Sequence, residues 1–324
     1  YPDGGSNVQS AAIYLTHSKK SENEKFIFSD GIRFSRTQLE SKFIDKTFFP
    51  FLDDAVNQNN NALTGNLGLL CKPDSSWRVS ILASTGYRAP NVDDLSKVFE
   101  SVQGTVIVPN PNLKPEFTYN LDLGLAKTFD EKITLGGTAY YTIYRNAITV
   151  QSGQFNGADS IEFEGEMSQV VMNKNALEAF IYGGNAYIYA DLNRHWSLSS
   201  NINYTHGRIV ETDSLRPLDH IPPVFGKTSV IFKAKRFKGE FFAMDNGWKR
   251  KKDYNLLGED NFSTATPDGM PDWFALNFRS SYQLHKSLML QLAIDNILDR
   301  NYRVFASGIS ASGRNISATL RANF

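Results

Sequence analysis

Three groupings of side chains carry the types and spacing that could bind something. The first is Gly86-Tyr87-Arg88-Ala89-Pro90, followed downstream by Asn110-Pro111-Asn112-Leu113-Lys114-Pro115-Glu116. A guanidinium pairs bidentately with anionic groups, so Arg88 is a candidate ligand contact, with Tyr87, Asn110 and Asn112 beside it. A lone arginine supplies only one side of such a pair, so the favoured reading is that Arg88 and both segments shape a loop and pin its ends. The second grouping is Lys249-Arg250-Lys251-Lys252, a cationic run that attracts phosphates when exposed; its ordinary role is a solvated loop base. The third comprises the five histidines, His17, His195, His206, His220 and His285. A metal site needs convergent ligands in fixed geometry, and nothing in these spacings supplies it, so no metal is expected. The acidic stretch holding Asp253, Glu259, Asp260, Asp268 and Asp272 lacks the spacing of an EF-hand and reads as a mobile loop.

No Gly-x-Ser-x-Gly, His-Glu-x-x-His or phosphate-loop motif occurs. No base–nucleophile pair is indicated, so neither an enzyme nor a cofactor is expected. The chain has 324 residues, with 34 basic and 34 acidic side chains. That balance gives no electrostatic reason to expect nucleic acid. A single cysteine, Cys71, excludes an intramolecular disulfide. Aromatics make up 13%, too many for a disordered polar tail. Apolar runs are only a few residues long, whereas a transmembrane helix needs about 18 or more. The start, Tyr1-Pro2-Asp3-Gly4-Gly5, has no signal-peptide pattern and reads as a mature or cut end.

The elements that would position these residues are strands. Ile316, Ala318, Leu320, Ala322 and Phe324 lie on one face, with Asn315, Ser317, Thr319, Arg321 and Asn323 on the other. This strict period of two marks a strand with one apolar and one polar face. The same alternation predicts strands over 8–17, 25–36, 62–71, 77–88, 116–128, 132–146, 175–191, 195–210, 225–235, 238–251, 271–284, 287–297 and 313–324. These are about thirteen strands, most of them long enough for the roughly 9–11 residues that a tilted membrane strand needs. Connections alternate between short turns and long loops (37–61, 89–115, 147–174, 211–224, 252–270 and 298–312). Short turns on one side and long loops on the other characterise outer-membrane barrels. The chain therefore reads as all-β, a single domain over 1–324, forming a transmembrane antiparallel β-barrel. An odd strand number does not close such a barrel, so either one strand escapes the alternation or strands precede residue 1, and the abrupt start favours the second.

In this topology His195 and His285 lie at short periplasmic turns and His17 near one, while His206 shares the lipid-facing parity of Tyr204. Only His220 lies on an outer loop. Tyr144, at a strand end, reads by default as a girdle residue, although its lumen parity would let it stack on a ligand instead. Tyr87, Trp196, Trp248, Trp273 and Tyr282 fit interfacial girdles.

The segments at 86–90 and 110–116, His220-Ile221-Pro222-Pro223, Asp295-Asn296-Ile297-Leu298-Asp299-Arg300-Asn301-Tyr302 and the strand from Gly313 to the terminal Phe324 come in one order. Together they resemble the C-terminal half of the TonB-dependent outer-membrane receptors, the first two resembling that family's "FRAP" and "NPNL" boxes. The resemblance implies a barrel of about 22 strands, of which this chain holds about thirteen. It puts the plug and the TonB-contacting motif before residue 1. It implies import of a scarce nutrient across the outer membrane of a Gram-negative bacterium, energised by TonB. The expected ligand is a ferric siderophore or haem, with cobalamin or a glycan as alternatives. The terminal Phe resembles the barrel-assembly signal. In haem receptors of the family a histidine lies between the two boxes; here residues 91–109 contain no histidine, cysteine or methionine, which departs from that pattern. Lys249, Arg250, Lys251 and Lys252 would then face lipopolysaccharide. An autotransporter-like or porin-like barrel is the competing architecture.

Overall fold

The computed structural model describes residues 3–45, 55–100, 104–211, 213–258 and 260–323. The terminal Phe324 and the acidic-loop residue Glu259 lie outside the described residues. The first strands are β1 (Ser6–Lys20), β2 (Phe26–Lys42), β3 (Ala55–Cys71) and β4 (Trp77–Arg88), followed by the short helix α1 (Val92–Ser96). Next come β5 (Thr105–Val108), β6 (Glu116–Phe129), β7 (Ile133–Ser152), β8 (Ser160–Phe163), β9 (Glu166–Asp191) and β10 (Trp196–Val210). The chain continues through β11 (Leu215–Pro217), β12 (Phe225–Lys233), β13 (Phe237–Asn246), β14 (Lys249–Arg250) and β15 (Gly269–Met270). It ends with β16 (Trp273–His285), β17 (Leu288–Asp295) and β18 (Asn315–Ala322).

One antiparallel path, β1-β2-β3-β4-β6-β7-β9-β10-β12-β13-β16-β17-β18, carries every strand that the alternation predicts. On β6, Tyr119, Leu121, Leu123 and Leu125 are exposed apolar residues. Between them Asn120 and Asp122 hydrogen-bond each other on the opposite face, joined by the Thr142 hydroxyl. On that same inner face, Lys227 Nζ and Ser229 Oγ both donate to Glu240 Oε1, at 2.7 and 2.8 Å. Apolar residues outward and polar ones inward is the pattern of a membrane barrel wall. Trp196 and Phe232 stand 4.9 Å apart near the short-turn end, with Phe237 6.1 Å from Phe232, an aromatic girdle.

Side-chain chemistry closes the short turns. Asp130 and Glu131 both take positive φ, and Lys132 N–H donates to Phe129 C=O at 2.9 Å, the primed turn that matches strand twist. Asp74 Oδ1 accepts from Ser76 N–H at 2.7 Å and Trp77 N–H at 3.1 Å. Asn193 Oδ1 does the same for His195 and Trp196.

The long-loop end departs from the expected boundaries. The stretch 147–174 was expected to be loop, yet β7 runs to Ser152 and β9 begins at Glu166. The physical reason lies in the preceding loop. Its β5 returns to pair with β9 in parallel, Thr105 opposite Gln169 and Val108 opposite Met172. Val106, Val108 and Val170 form one buried cluster, and Ile107, Val150 and Val171 another. The expected strand 238–251 stops at Asn246, and Lys249-Arg250 pairs instead with Gly269-Met270. Trp273 is no girdle residue: it is buried at 8% exposure and stacks on Tyr302, centroids 4.1 Å apart.

Candidate functional site

The two boxes meet at the top of β4 and β6. β3 and β4 pair from Asn66–Ser84 to Cys71–Val79. Beyond that, β3 pairs with β2 alone, up to Ala55. The loop between the boxes packs against the diverging strands: Leu95 and Leu113 are buried against Leu39, Phe43 and Val56. Gln58 Nε2 reaches from β3 to donate to Pro111 C=O at 2.8 Å.

Arg88 is held by two carboxylates. Its Nε bonds Glu116, and its Nη1 donates to Asp94 Oδ2 at 2.6 Å. Asp94 also closes a capping box on α1: Asn91 N–H donates to Asp94 Oδ2 at 2.9 Å, and Asp94 N–H to Asn91 Oδ1 at 2.8 Å. Glu116 spends its other oxygen on Ile148 N–H of β7 at 2.7 Å. Thus Arg88 ties the end of β4 to the helix and to β6, and Glu116 carries the tie across to β7.

The second box is anchored the same way. Asn110 Nδ2 donates to Asn173 C=O at 2.7 Å, and Asn110 Oδ1 accepts from Asn112 N–H at 3.1 Å in a side-chain turn. Asn173 Nδ2 reaches back to Asp94 C=O at 3.0 Å. Asn175 pairs both ways with the Lys114 backbone, at 2.8 and 2.9 Å, and donates to Asn146 C=O at 2.8 Å. Asn173 and Asn175 hold the box although neither stands out in the sequence. Their spacing of two, placing both on one face of β9, is the only local signal.

The remaining predicted residues separate. Tyr87 pairs with Phe117, the rings 5.4 Å apart, on the face shared by Tyr119 and Leu121. Tyr144 lies opposite Thr118 and Ala179, on the inner face, and packs beside Ala147, Ala179 and Ile209. His220 is exposed, takes positive φ, and donates its backbone N–H to Asp260 Oδ1 at 2.8 Å. His206 lies against Tyr182, the rings tilted with centroids 4.9 Å apart, on the outward face expected from its parity.

The basic run does not act as a unit. Arg250, Lys251 and Lys252 are exposed, but Lys249 is buried at 4%. Its ammonium donates to Ile221 C=O and sits 4.6 Å from the Phe305 ring centroid, a desolvated cation–π contact. Lys249 is thus turned away from any external phosphate, a correction to the expected exposed run. Its partner Phe305 lies in another loop, invisible to a local reading.

Among the described residues no group of three or more His, Cys, Asp or Glu could hold a metal ion, and no helix is long and apolar enough to cross a membrane.

Comparison with known proteins agrees with this architecture. The chain is 28% identical over 264 residues to a probable hemoglobin and hemoglobin-haptoglobin-binding protein of Haemophilus influenzae, covering 76% of this chain and 25% of that protein. It is 22% identical over 243 residues to an iron-regulated outer membrane virulence protein of Vibrio cholerae, covering 74% of this chain and 36% of that one. The chain therefore spans only about a quarter to a third of these relatives. Among solved structures, the copper transporter OprC superposes with a TM-score of 0.78 at 16% identity, covering 98% of this chain and 48% of that one. The ferric yersiniabactin uptake receptor of Yersinia pestis superposes with a TM-score of 0.64 at 17% identity, covering 98% and 46%. The TonB dependent receptor-like β-barrel family matches residues 1–297. With its outward apolar band, its short turns and long loops, and both boxes in place, this chain belongs to the TonB-dependent receptor β-barrels of the Gram-negative outer membrane.

Proposed function

We propose that this chain is the C-terminal wall, about thirteen strands of a barrel of about 22, of a receptor that binds an iron complex outside the cell and imports it with energy from TonB. The observation that carries the reading is the pairing of family membership with relatives named for haemoglobin binding and iron regulation. The plug and the TonB contact belong to the family's N-terminal region, upstream of residue 1. The chain performs no bond chemistry: its work is to form the wall and to hold the long loops at the mouth.

A ferric siderophore and haem remain the two ligand classes. The haemoglobin-binding relative favours haem. The loop between the boxes offers no histidine, cysteine or methionine, which favours a siderophore. Arg88, Asn110 and Asn112 act in this reading by fixing the loop that meets the ligand, since Arg88 and Asn110 are already engaged within the protein. Tyr144 faces inward and His220 lies on an outer loop; both are candidate contacts with the ligand. Exposed Arg250, Lys251 and Lys252 stand at the long-loop end, where lipopolysaccharide phosphates would meet them.

The test is growth. Deletion of the intact gene under iron restriction is expected to abolish use of one ferric siderophore or of haem, with inorganic iron unaffected. The full-length gene restores growth, and a version lacking the upstream region does not. Undiminished growth on every iron source would refute iron import and bring cobalamin or a glycan forward.

A further inference from the structure

Three long loops meet around buried charge. Lys249 joins them first: its ammonium bonds Ile221 of the loop before β12 and faces Phe305 of the loop before β18. Tyr254, 3% exposed, follows it in its own loop; the lysine stands 5.8 Å from that ring. Tyr254 in turn meets the Phe305 ring edge-on at 5.5 Å. Asp260, 1% exposed, makes the second join. Its two oxygens accept from His220 N–H at 2.8 Å and Asn255 N–H at 2.9 Å.

Asp219 lies inside this junction, packed against the backbone at Gly258. A Cβ at residue 258 would fall 1.9 Å from Asp219 Oδ1, so any side chain there would have to displace the carboxylate. The charged and titratable groups facing Asp219 are Asp260 across the junction, His220 beside it, Arg216 on β11 and Lys249 on β14. Arg216 is partly committed elsewhere, to Glu211 at 2.7 Å and Asn255 at 2.9 Å. Burial first, and the Asp260 carboxylate second, push the Asp219 carboxyl up to about 6.

We propose that the three loops form an acid-tightened latch, closing on one another when Asp219 takes up a proton and loosening when it ionises beside Asp260. The sign follows from linkage. The closed arrangement raises the proton affinity of Asp219 above its ordinary 3.8, so it is favoured fully below that value and loses the contribution as pH rises through about 6. The latch is built from loop residues that already contact one another and is independent of which ligand the barrel takes.

Hydrogen exchange on the full-length protein in detergent tests it, at pH 5.0 and pH 7.5, with each peptide referenced to its own unfolded exchange at that pH. Peptides over 215–224 and 254–258 are expected to exchange about tenfold more slowly at pH 5.0 than at 7.5, the factor that linkage gives for this shift. Barrel strands β12 and β13 should not respond. Asp219→Asn, which removes the charge, should exchange slowly at both pH values. Asp260→Asn, which removes the neighbouring charge, should move the midpoint to lower pH. Equal corrected rates in the native protein at the two pH values would overturn the latch. So would an Asp219→Asn protein that keeps the native pH dependence. If Asp219→Asn does not assemble, the midpoint in Asp260→Asn decides: a shift downward supports the latch and an unmoved midpoint overturns it.

Discussion

At the scale of single residues, the site is a set of joints. Glu116 is the one with most to lose, because it is 9% exposed and serves both Arg88 and the Ile148 N–H. Glu116→Ala leaves that amide without its acceptor and the guanidinium without one of its carboxylates. The expected cost is about 1–3 kcal/mol for an unmatched buried group, read as a lower melting temperature and faster proteolysis within 89–115. Glu116→Gln keeps an acceptor and should lose less. Lys249→Ala is expected to act at a distance: it frees Ile221 and Phe305 of their shared partner, so protease sensitivity should rise in the loops before β12 and before β18 together. Sensitivity confined to the mutated loop would count against the joint. The sequence displayed Arg88 plainly, as a charged residue in a recognisable box. It did not display Asp94 and Glu116 as the carboxylates that occupy it, since pairing across a loop leaves no local period. Lys249 misled for the same reason, its partner Phe305 lying far along the chain.

Elements were legible where their neighbours are next in sequence. Each of the thirteen path strands alternates locally and pairs with its neighbour in the path across a turn or loop, so period two was enough to find them. β5 and β8 were missed because four residues carry too little pattern; β5 also has a distant partner in β9, whereas β8 pairs with β9 across a two-residue turn. The end expected for β7, at residue 146, has its own cause. Asn146 takes positive φ within the strand, and asparagine there reads as a turn; the strand bends and continues instead, its carbonyl held by Asn175. The added sheet of β5, β8 and the tips of β7 and β9 has its own buried clusters, and this separates its fate from that of the wall. Val106 is fully buried. Val106→Asp would place an unpaired charge there at a cost of several kcal/mol. The expected outcome is loss of hydrogen-exchange protection over 105–108 and 166–172, with β6 and β10 as protected as before. Loss of protection in β6 as well would show that the loop sheet and the wall fold as one unit.

At the scale of the whole molecule, the decisive feature is the pair of free edges. Among the described residues β1 and β18 each pair on one side only, and every residue of both strands is exposed. On β1, Ile13 and Leu15 are more than 70% exposed, as is Ile316 on β18, so these strands hold apolar side chains that belong against lipid. An apolar outward face drives insertion, but the hydrocarbon core offers no water to the unpaired N–H and C=O groups of an edge, at several kcal/mol for each. The two requirements conflict in this chain and are reconciled only when further strands pair with both edges. Expressed by itself, the chain is therefore expected to aggregate through its edges, or to require detergent at all times. It should give no compact, heat-modifiable band on an unboiled gel, the mark of a closed barrel. In the proposed barrel of about 22 strands, co-expression with the rest of the receptor should restore that band, because partners for β1 and β18 would then be supplied. A compact, heat-modifiable monomer from the chain alone would mean that β1 and β18 find each other, and that thirteen strands close despite the parity of an antiparallel barrel.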